Sequence, residues 1–328
     1  MFSVLCDEQF SGPCSSRAQA LLAWYRKHAR DLPWRHTVDP YHIWISEIML
    51  QQTQVATVLP RYAAWFDVFP DIATLAAARL DAVLKAWEGL GYYRRARFIH
   101  AAAQYVVEHQ AGVFPGDVDT MLKLPGIGRS TAGAISSFCF GTYTPVLDGN
   151  VKRVLARWHG LPDVKDRALW QLAQQAIDAS GEPDTWNQAM MELGATACQP
   201  KPACGHCPVN GFCESSFHVA AAGAKRDSIP VLDVHWRVHL HRHAERGIWL
   251  TRRPETGIWA GLWTPPITEL SEAPDMPPTH IHLLTHRRIH LYAELLVGQP
   301  EGDGQWVPDT RTLALPTGIH RLLEKHGG

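Results

Sequence analysis

Apolar residues recur at three- and four-residue spacing from Arg17 to Gly194, as in Leu21, Leu22 and Tyr25, then Ile45, Ile48 and Met49, then Leu172, Ala173, Ala176 and Ile177. That period places a stripe on one side of an α-helix, so this half of the chain predicts a stack of short helices, each burying one face. Breaks are expected at Asp31-Leu-Pro33, Phe69-Pro70, Gly89-Leu-Gly91, Phe114-Pro-Gly116 and Gly160-Leu-Pro162, where proline removes a backbone donor or glycine frees a turn. The alanine-rich stretch 220–230 has no period and reads as a linker. Beyond it the period becomes two. Val234, Trp236, Val238 and Leu240 alternate with His235, Arg237, His239 and His241, the pattern of a half-buried strand. GIWLTRR and HLYAELLV predict further strands, and a helix near Gly318–Lys325 closes this second, β-rich domain.

With 31 Lys+Arg against 32 Asp+Glu, the net charge is −1, which excludes binding driven by the charge of the whole molecule and leaves room only for a local patch. Apolar residues make up 46% and charged residues 19%, a composition that buries a core. The 328 residues suffice for two domains. No run of 18 apolar residues occurs, and the start MFSVLCDEQF lacks the basic region and long apolar stretch of a secretory signal. A cytoplasmic protein is expected, nucleoid-associated if bacterial, without a membrane partner.

Seven cysteines in such a chain argue against a disulfide framework. Cys6, Cys14 and Cys139 are scattered, whereas Cys198, Cys204, Cys207 and Cys213 form C-x5-C-x2-C-x5-C, with Pro200, Pro202, Pro208 and Gly211 supplying turns. Four thiols this close point to one metal centre. Ligand type alone leaves a structural zinc and an iron–sulfur cluster equally open.

Met121 to Trp158 is the most informative segment. MLKLPGIGRSTAGAISSF has the form helix, tight turn, helix; Gly126 and Gly128 permit positive φ and close backbone approach, so that amides at the start of the second helix can face a phosphate. Lys123, Arg129, Lys152, Arg153 and Arg157 stand against one acid, Asp148, a local charge of +4 suited to nucleic-acid backbone. The alternative is a glycine-capped turn between two core helices.

Asp148 precedes the helix VKRVLARW and is a good N-cap. A carboxylate in a phosphate-facing segment can also stabilise a sugar cation as a base departs. Its partner in acid/base chemistry would be Glu47, set in the apolar helix IWISEIMLQQTQV, where half-burial would raise its pKa and let it deliver a proton. An interhelical hydrogen bond or ion pair is the other role open to Glu47.

WISEIMLQQTQV (44–55), GLGYYRRAR (89–97), LPGIGRSTAGAI (124–135), LDGNVKRVLAR (147–157) and MELGATAC (191–198), followed by the cysteine loop, together resemble the MutY-type adenine DNA glycosylases of the helix–hairpin–helix superfamily. RRPETGIWAGLWTPP (252–266) is similar to that family's Nudix-like domain. The resemblance implies a mostly α helix–hairpin–helix catalytic domain over 1–219 with the cluster loop at 198–213, a linker over 220–230, and an α+β Nudix-like lesion-recognition domain over 231–328. It implies removal of adenine mispaired with 8-oxoguanine or guanine in duplex DNA by a monomer, with a 4Fe-4S cluster on Cys198, Cys204, Cys207 and Cys213. Glu47 would then protonate the leaving adenine and Asp148 stabilise the sugar cation. Glu192 would contact the flipped base, with Arg30, Leu32 and Trp34 lining its pocket. Gln52 would enter the base stack and Tyr93 intercalate beside the lesion, because a glycosidic bond cannot be reached until the base leaves the stack. Gly126, Gly128, Arg129, Lys152 and Arg153 would hold phosphates.

Ser130 stands where the related endonuclease III-type enzymes carry a catalytic lysine, so a Schiff base is impossible there and monofunctional base removal is expected, with Ser130 at the adenine face. This chain departs from the family in two places. The first cysteine interval is five residues rather than six, and the Phe-Ser-His recognition loop reads Leu284-Thr285-His286, in which Thr285 and His286 keep hydrogen-bonding capacity. No RExxEE run follows GIWAGLW, so nucleotide hydrolysis is not expected. His235, His239, His241 and His243 share a strand face that reads as solvated rather than metal-binding. Two other functions are open to these residues: a non-catalytic iron–sulfur DNA-binding protein, and a bifunctional glycosylase for thymine or pyrimidine lesions, which Ser130 disfavours.

Overall fold

The computed structural model describes residues 13–218, 230–298, 300 and 302–326. Cys6 and nearly all of the expected linker lie outside them. The chain divides into two units, Met1–Tyr62 with Ala102–Ala224, and Ala63–Ala101 with Lys225–Gly328.

The first unit is helical. Its elements are α1 (Pro13–His28), a 3-10 turn at Pro33–Arg35, α2 (Pro40–Leu50) and the first half of α3 (Val55–Val68). The chain passes through α4 (Ile72–Ala77), α5 (Leu80–Ala86) and the start of α6 (Arg94–His109) in the other unit. It returns for α7 (Val118–Met121), α8 (Arg129–Phe140), α9 (Gly149–Trp158), α10 (Asp166–Asp178) and α11 (Pro183–Thr196). The expected breaks fall between these helices. The stripes bury as their period requires: Leu21 and Leu22 of α1, Val154 and Leu155 of α9, Ala173 and Ile177 of α10, and Met190 and Leu193 of α11 form one core. α2 is apolar on nearly every side and correspondingly buried, with Trp44, Ile45 and Met49 fully enclosed.

In the second unit the sheet comprises β1 (Leu232–His243), β2 (Gly247–Arg252), β3 (Trp263–Thr264), β4 (Ile267–Leu270), β5 (His280–Leu283), β6 (Arg287–Leu296) and β7 (Gln305–Val307). The main order is β3-β2-β1-β6-β5, with β4 added to β1 and β7 to β2. The β1–β6 pair is parallel and long, matching Leu232 with Arg287 through His241 with Leu296. Trp236, Val238 and Leu240 point into a core closed by Ile319 and Leu322 of α12 (Thr317–His326). The opposite face carries the histidines, of which His235 and His239 are hydrogen-bonded to hydroxyls. His235 stacks on His290 with centroids 4.7 Å apart and lies 3.0 Å from the Tyr292 hydroxyl, while His239 Nε2 is 2.9 Å from Thr268 Oγ1.

Candidate active site

Four segments of the helical unit bring the chemistry together. α8 starts after the hairpin turn, α9 starts at Asp148, α2 carries Glu47 and α11 carries Glu192. Asp148 is in extended conformation and caps α9, its Oδ1 accepting from Val151 N at 2.7 Å. Asn150 Nδ2 lies 3.4 Å from Oδ2. Capping therefore fixes the carboxylate's direction without fully occupying it, and the two roles open at the sequence level coexist in one side chain.

Glu47 and Asp148, 101 positions apart in the chain, are near enough to repel one another. Burial, with that repulsion added, pushes the Glu47 carboxyl up to about 8. Asp148 is also raised by burial, but amide hydrogen bonds from Val151 and Asn150 and the charge of Arg153 oppose the shift. The environments thus differ for two like groups: Glu47 holds its proton at neutral pH, whereas hydrogen bonds and a cation oppose the rise at Asp148. Half-buried Cys139 also feels Glu47, its thiol pushed up to about 12 by burial and then by Asp39 and Glu47.

Glu192 is differently placed. It is fully buried on α11 and accepts from Arg30 Nε at 2.7 Å, Arg30 Nη2 at 2.8 Å and Arg35 Nη2 at 2.7 Å. Burial alone would raise its pKa; the two guanidiniums overcome it and hold the carboxylate below its usual range. Leu32 and Trp34 are buried beside this pair, with Trp34 edge-on to Tyr62 at 5.3 Å. The structure therefore brings Arg30, Leu32, Trp34 and Glu192 together. Arg35 completes the group, and sequence reasoning missed it; its place in the WR pair after Pro33 was the available signal.

In the hairpin, Gly126 has φ +80° and needs to be glycine, whereas Gly128 is extended at φ −96° and caps α8. The expectation of positive φ thus holds at one glycine. At Gly128 a Cβ would meet nothing within 4 Å, so its surface is open for close approach. The first-turn amides of α8 have no intrahelical acceptor, the usual condition of a helix N-terminus. The Ser130 hydroxyl accepts from Leu147 N at 3.1 Å and so ties α8 to the residue before Asp148.

The basic patch is smaller than its charge count. Arg157 is buried and donates to the carbonyls of Gln199 at 2.6 Å and Pro200 at 3.0 Å. Arg153 donates to Cys198 O at 2.8 Å, Gly194 O at 2.7 Å and Asn150 Oδ1 at 2.8 Å. These two guanidiniums brace the cysteine loop, so Arg153 has an internal role beside the one expected of it at phosphate. Lys152 is exposed in a pair with Asp166 at 2.6 Å, and Arg129 lies over the Trp170 ring at 3.9 Å.

Gln52 is exposed with φ +54°, a left-handed conformation uncommon outside glycine, directly after α2. Tyr93, expected as the intercalating ring, is half-buried. Its neighbour Tyr92 is 51% exposed, has φ +48°, and its hydroxyl lies 2.7 Å from Thr285 Oγ1. The presented ring is thus Tyr92. Thr285 and His286 form the exposed tip of the β5–β6 hairpin, as a contact loop requires.

Cys198, Cys204, Cys207 and Cys213 line one pocket with Arg157, Trp158 and Pro202. The shortened first interval closes through Ala203 N donating to Ala197 O at 2.9 Å. Burial and then repulsion among the sulfurs push Cys207 up to about 11. Four thiols so confined call for cationic compensation to ionise, and Arg157, 3.4 Å from Cys198 Sγ, supplies one charge. The donor set fits an iron–sulfur group. Among the described residues no three His, Cys, Asp or Glu side chains converge on a point for a single ion.

Residues 45–178 match the HhH-GPD superfamily base excision DNA repair protein model, and 237–325 match the NUDIX domain model. The adenine DNA glycosylase of Buchnera aphidicola subsp. Baizongia pistaciae (strain Bp) is 38% identical over 255 residues, covering 75% of this chain and 72% of the relative. The chain belongs to the adenine DNA glycosylase family. The human adenine DNA glycosylase is 45% identical over 215 residues, which are 61% of this chain and 39% of the human protein, so the chain spans well under half of that relative's length. A solved thermostable thymine-DNA glycosylase superposes with a TM-score of 0.59 at 28% identity over 63% of this chain and 97% of that one. An adenine DNA glycosylase family member is thus built here with its two-acid site and Glu192 group in one helical unit and its hairpin tip at Thr285–His286 in the other. No helix among the described residues is long and apolar enough to cross a membrane.

Proposed function

We propose that this protein removes adenine mispaired with 8-oxoguanine or guanine from duplex DNA by hydrolysing its N-glycosidic bond, acting as a monomer in the cytoplasm or nucleoid. The observation that carries the reading is the placement of Glu47, whose carboxyl is pushed up to about 8, near Asp148, whose carboxylate is held at the start of α9 by Val151 N and Asn150 Nδ2. Both acids come from one chain, so no second copy is needed to complete the site.

Glu47 donates its proton to a ring nitrogen of the extruded purine, which turns the base into a neutral leaving group. The bond to the deoxyribose then breaks heterolytically, and the Asp148 carboxylate, oriented by Val151 N and Asn150, stabilises the developing sugar cation. Water completes the sugar product. Glu192, fixed by Arg30 and Arg35, offers acceptors and a charged rim toward the base's exocyclic amine. With Ser130 at the position of the lysine that forms an imine in related enzymes, and its hydroxyl engaged by Leu147 N, the reaction ends at an abasic site and the protein is monofunctional. The cysteine pocket is proposed to hold a 4Fe-4S cluster on Cys198, Cys204, Cys207 and Cys213, which would supply a rigid, charged core to the loop.

Single-turnover assays on duplexes with adenine opposite 8-oxoguanine, guanine and thymine test the proposal. Alkali-labile abasic product should form fastest opposite 8-oxoguanine, with the strand intact before alkali. Absence of product from all three substrates overturns the reading. The same preparation should contain iron and acid-labile sulfide; zinc in their place overturns the cluster assignment.

A further inference from the structure

We propose that Asn187 is a positioning residue for Asp148, holding the backbone from which the carboxylate projects; this rests on the reading above. Asn187 sits on α11, is 2% exposed, and touches neither acid in its hydrogen bonds. Two of its partners are in the segment between α8 and α9. Nδ2 donates to Thr144 O at 2.9 Å, and Oδ1 accepts from Val146 N at 3.1 Å.

Those two atoms flank Pro145. A neighbouring β-strand would engage the same pair, one carbonyl and one amide on either side of a residue, so the carboxamide stands in for a missing strand. The need is physical. Pro145, Val146 and Leu147 are buried, and buried backbone polar groups must find partners, yet these residues belong to no sheet. Leu147 N goes to Ser130 Oγ, Val146 N and Thr144 O go to Asn187, and Pro145 has no N–H to satisfy.

The amide is also locked in one orientation. Its remaining Nδ2 proton goes to Ser137 Oγ at 2.8 Å, while that hydroxyl donates to Ala134 O at 3.2 Å. A flipped amide would set an NH2 group against Val146 N–H. Packing fixes the other side of the segment: a Cβ at Gly133 would stand 2.4 Å from Pro145 O, so α8 and the segment meet at a distance only glycine allows. Three consecutive links, at 144, 146 and 147, thus end one residue before Asp148. Small displacement of a catalytic group far exceeds ordinary packing changes in its effect on rate, which makes this bracket a determinant of the chemical step.

The test is single-turnover excision of adenine opposite 8-oxoguanine, with rate constant, amplitude and duplex affinity measured separately for wild type, N187A, N187D and S137A. N187A should retain the wild-type affinity within about twofold and the full amplitude per folded molecule, while its rate constant falls about 100-fold. N187D keeps the shape and the acceptor for Val146 N but cannot donate to Thr144 O. Its rate constant should fall at least about tenfold, and it decides the matter if N187A does not fold. S137A leaves both segment contacts in place and should stay within about threefold of wild type. A reduced amplitude at the wild-type rate constant is the signature of a merely structural role and overturns the proposal, as does a wild-type rate in folded N187D. If wild type itself excises nothing, the proposed function falls and takes this inference with it; an active wild type with unaltered variants removes this inference alone.

Discussion

Two groups of acids, one half-buried and one fully buried, lie in the same helical unit and have opposite electrostatics. Around Glu47 and Asp148, two carboxyls lie near enough to repel, Arg153 is the cation that acts on Asp148, and both pKa values are raised. Around Glu192, one carboxyl meets two guanidiniums and its pKa is lowered. Burial acts in the same direction on all three, so the difference comes from the cations. It teaches that depth alone does not make a proton donor: an acid without a cation keeps a proton to give, and an acid with two is a fixed negative charge.

The largest effect should come from breaking the first group. E47Q removes the donated proton and D148N the stabilising charge, and each should slow single-turnover excision by about 1,000-fold or more, in line with general acid and electrostatic contributions. Duplex affinity should change little. In wild type the rate should hold through neutrality and fall about tenfold per pH unit above 8 as Glu47 loses its proton. Stability should move the other way in E47Q. Glu47 binds its proton more tightly folded than unfolded, so its contribution is most favourable below the ordinary value of 4.5 and declines as pH rises to about 8. E47Q lacks that decline, and its melting temperature relative to wild type should climb between those limits. A flat difference would show that Glu47 titrates normally and that the comparison is false.

How much of this was legible in the sequence follows from the range of the interactions. The helices, the alternation in β1 and the capping role of Asp148 depend on neighbours within a few residues, and each is visible as a period or a motif. Glu47 was legible as a half-buried acid because the apolar residues around it are on its own helix. Arg35 was not, since its partner is 157 positions away. Arg153 and Arg157 counted as patch charges for the same reason: the carbonyls that capture them lie over forty positions downstream. The choice between Tyr92 and Tyr93 turns on one left-handed backbone angle, which tyrosine does not advertise. The pairing of Glu47 with Asp148 was posed by the chemistry of two carboxyls rather than by any period, and the family pattern favoured it over an ion pair for Glu47.

The second group should respond as a structural ion pair. E192A leaves Arg30 and Arg35 facing each other without their shared anion, and it should destabilise folding by about 3 kcal/mol, the low end for breaking a buried pair because Arg30 reaches water. Denaturant unfolding measures this. E192Q, which keeps the shape and one acceptor, should lose less stability but should also weaken excision. The comparison sharpens if E192A lowers stability while E47Q raises it at pH 8. It breaks if both acids destabilise on removal, which would make Glu47 an ion-pair member whose partner has been overlooked.

The smallest effect concerns a side chain that is presented rather than buried. Tyr92 is exposed in a left-handed turn with its hydroxyl against Thr285, so it can stack on a base while the hairpin tip faces the same duplex. Y92A should weaken binding to duplex with 8-oxoguanine opposite adenine by about tenfold, within the range for one base–aromatic stack, and narrow the preference over guanine. The chemical rate at saturating enzyme should stay within about threefold, because neither acid is touched. Y92F separates the ring from its hydroxyl: with Thr285 as partner, it should keep binding and lose part of the preference. Y93A is the control that decides between the rings. Its ring is half-buried, so its loss should appear first in thermal stability. Should Y93A instead lose the opposite-base preference while Y92A keeps it, the sequence assignment stands and the exposed ring is only a surface group.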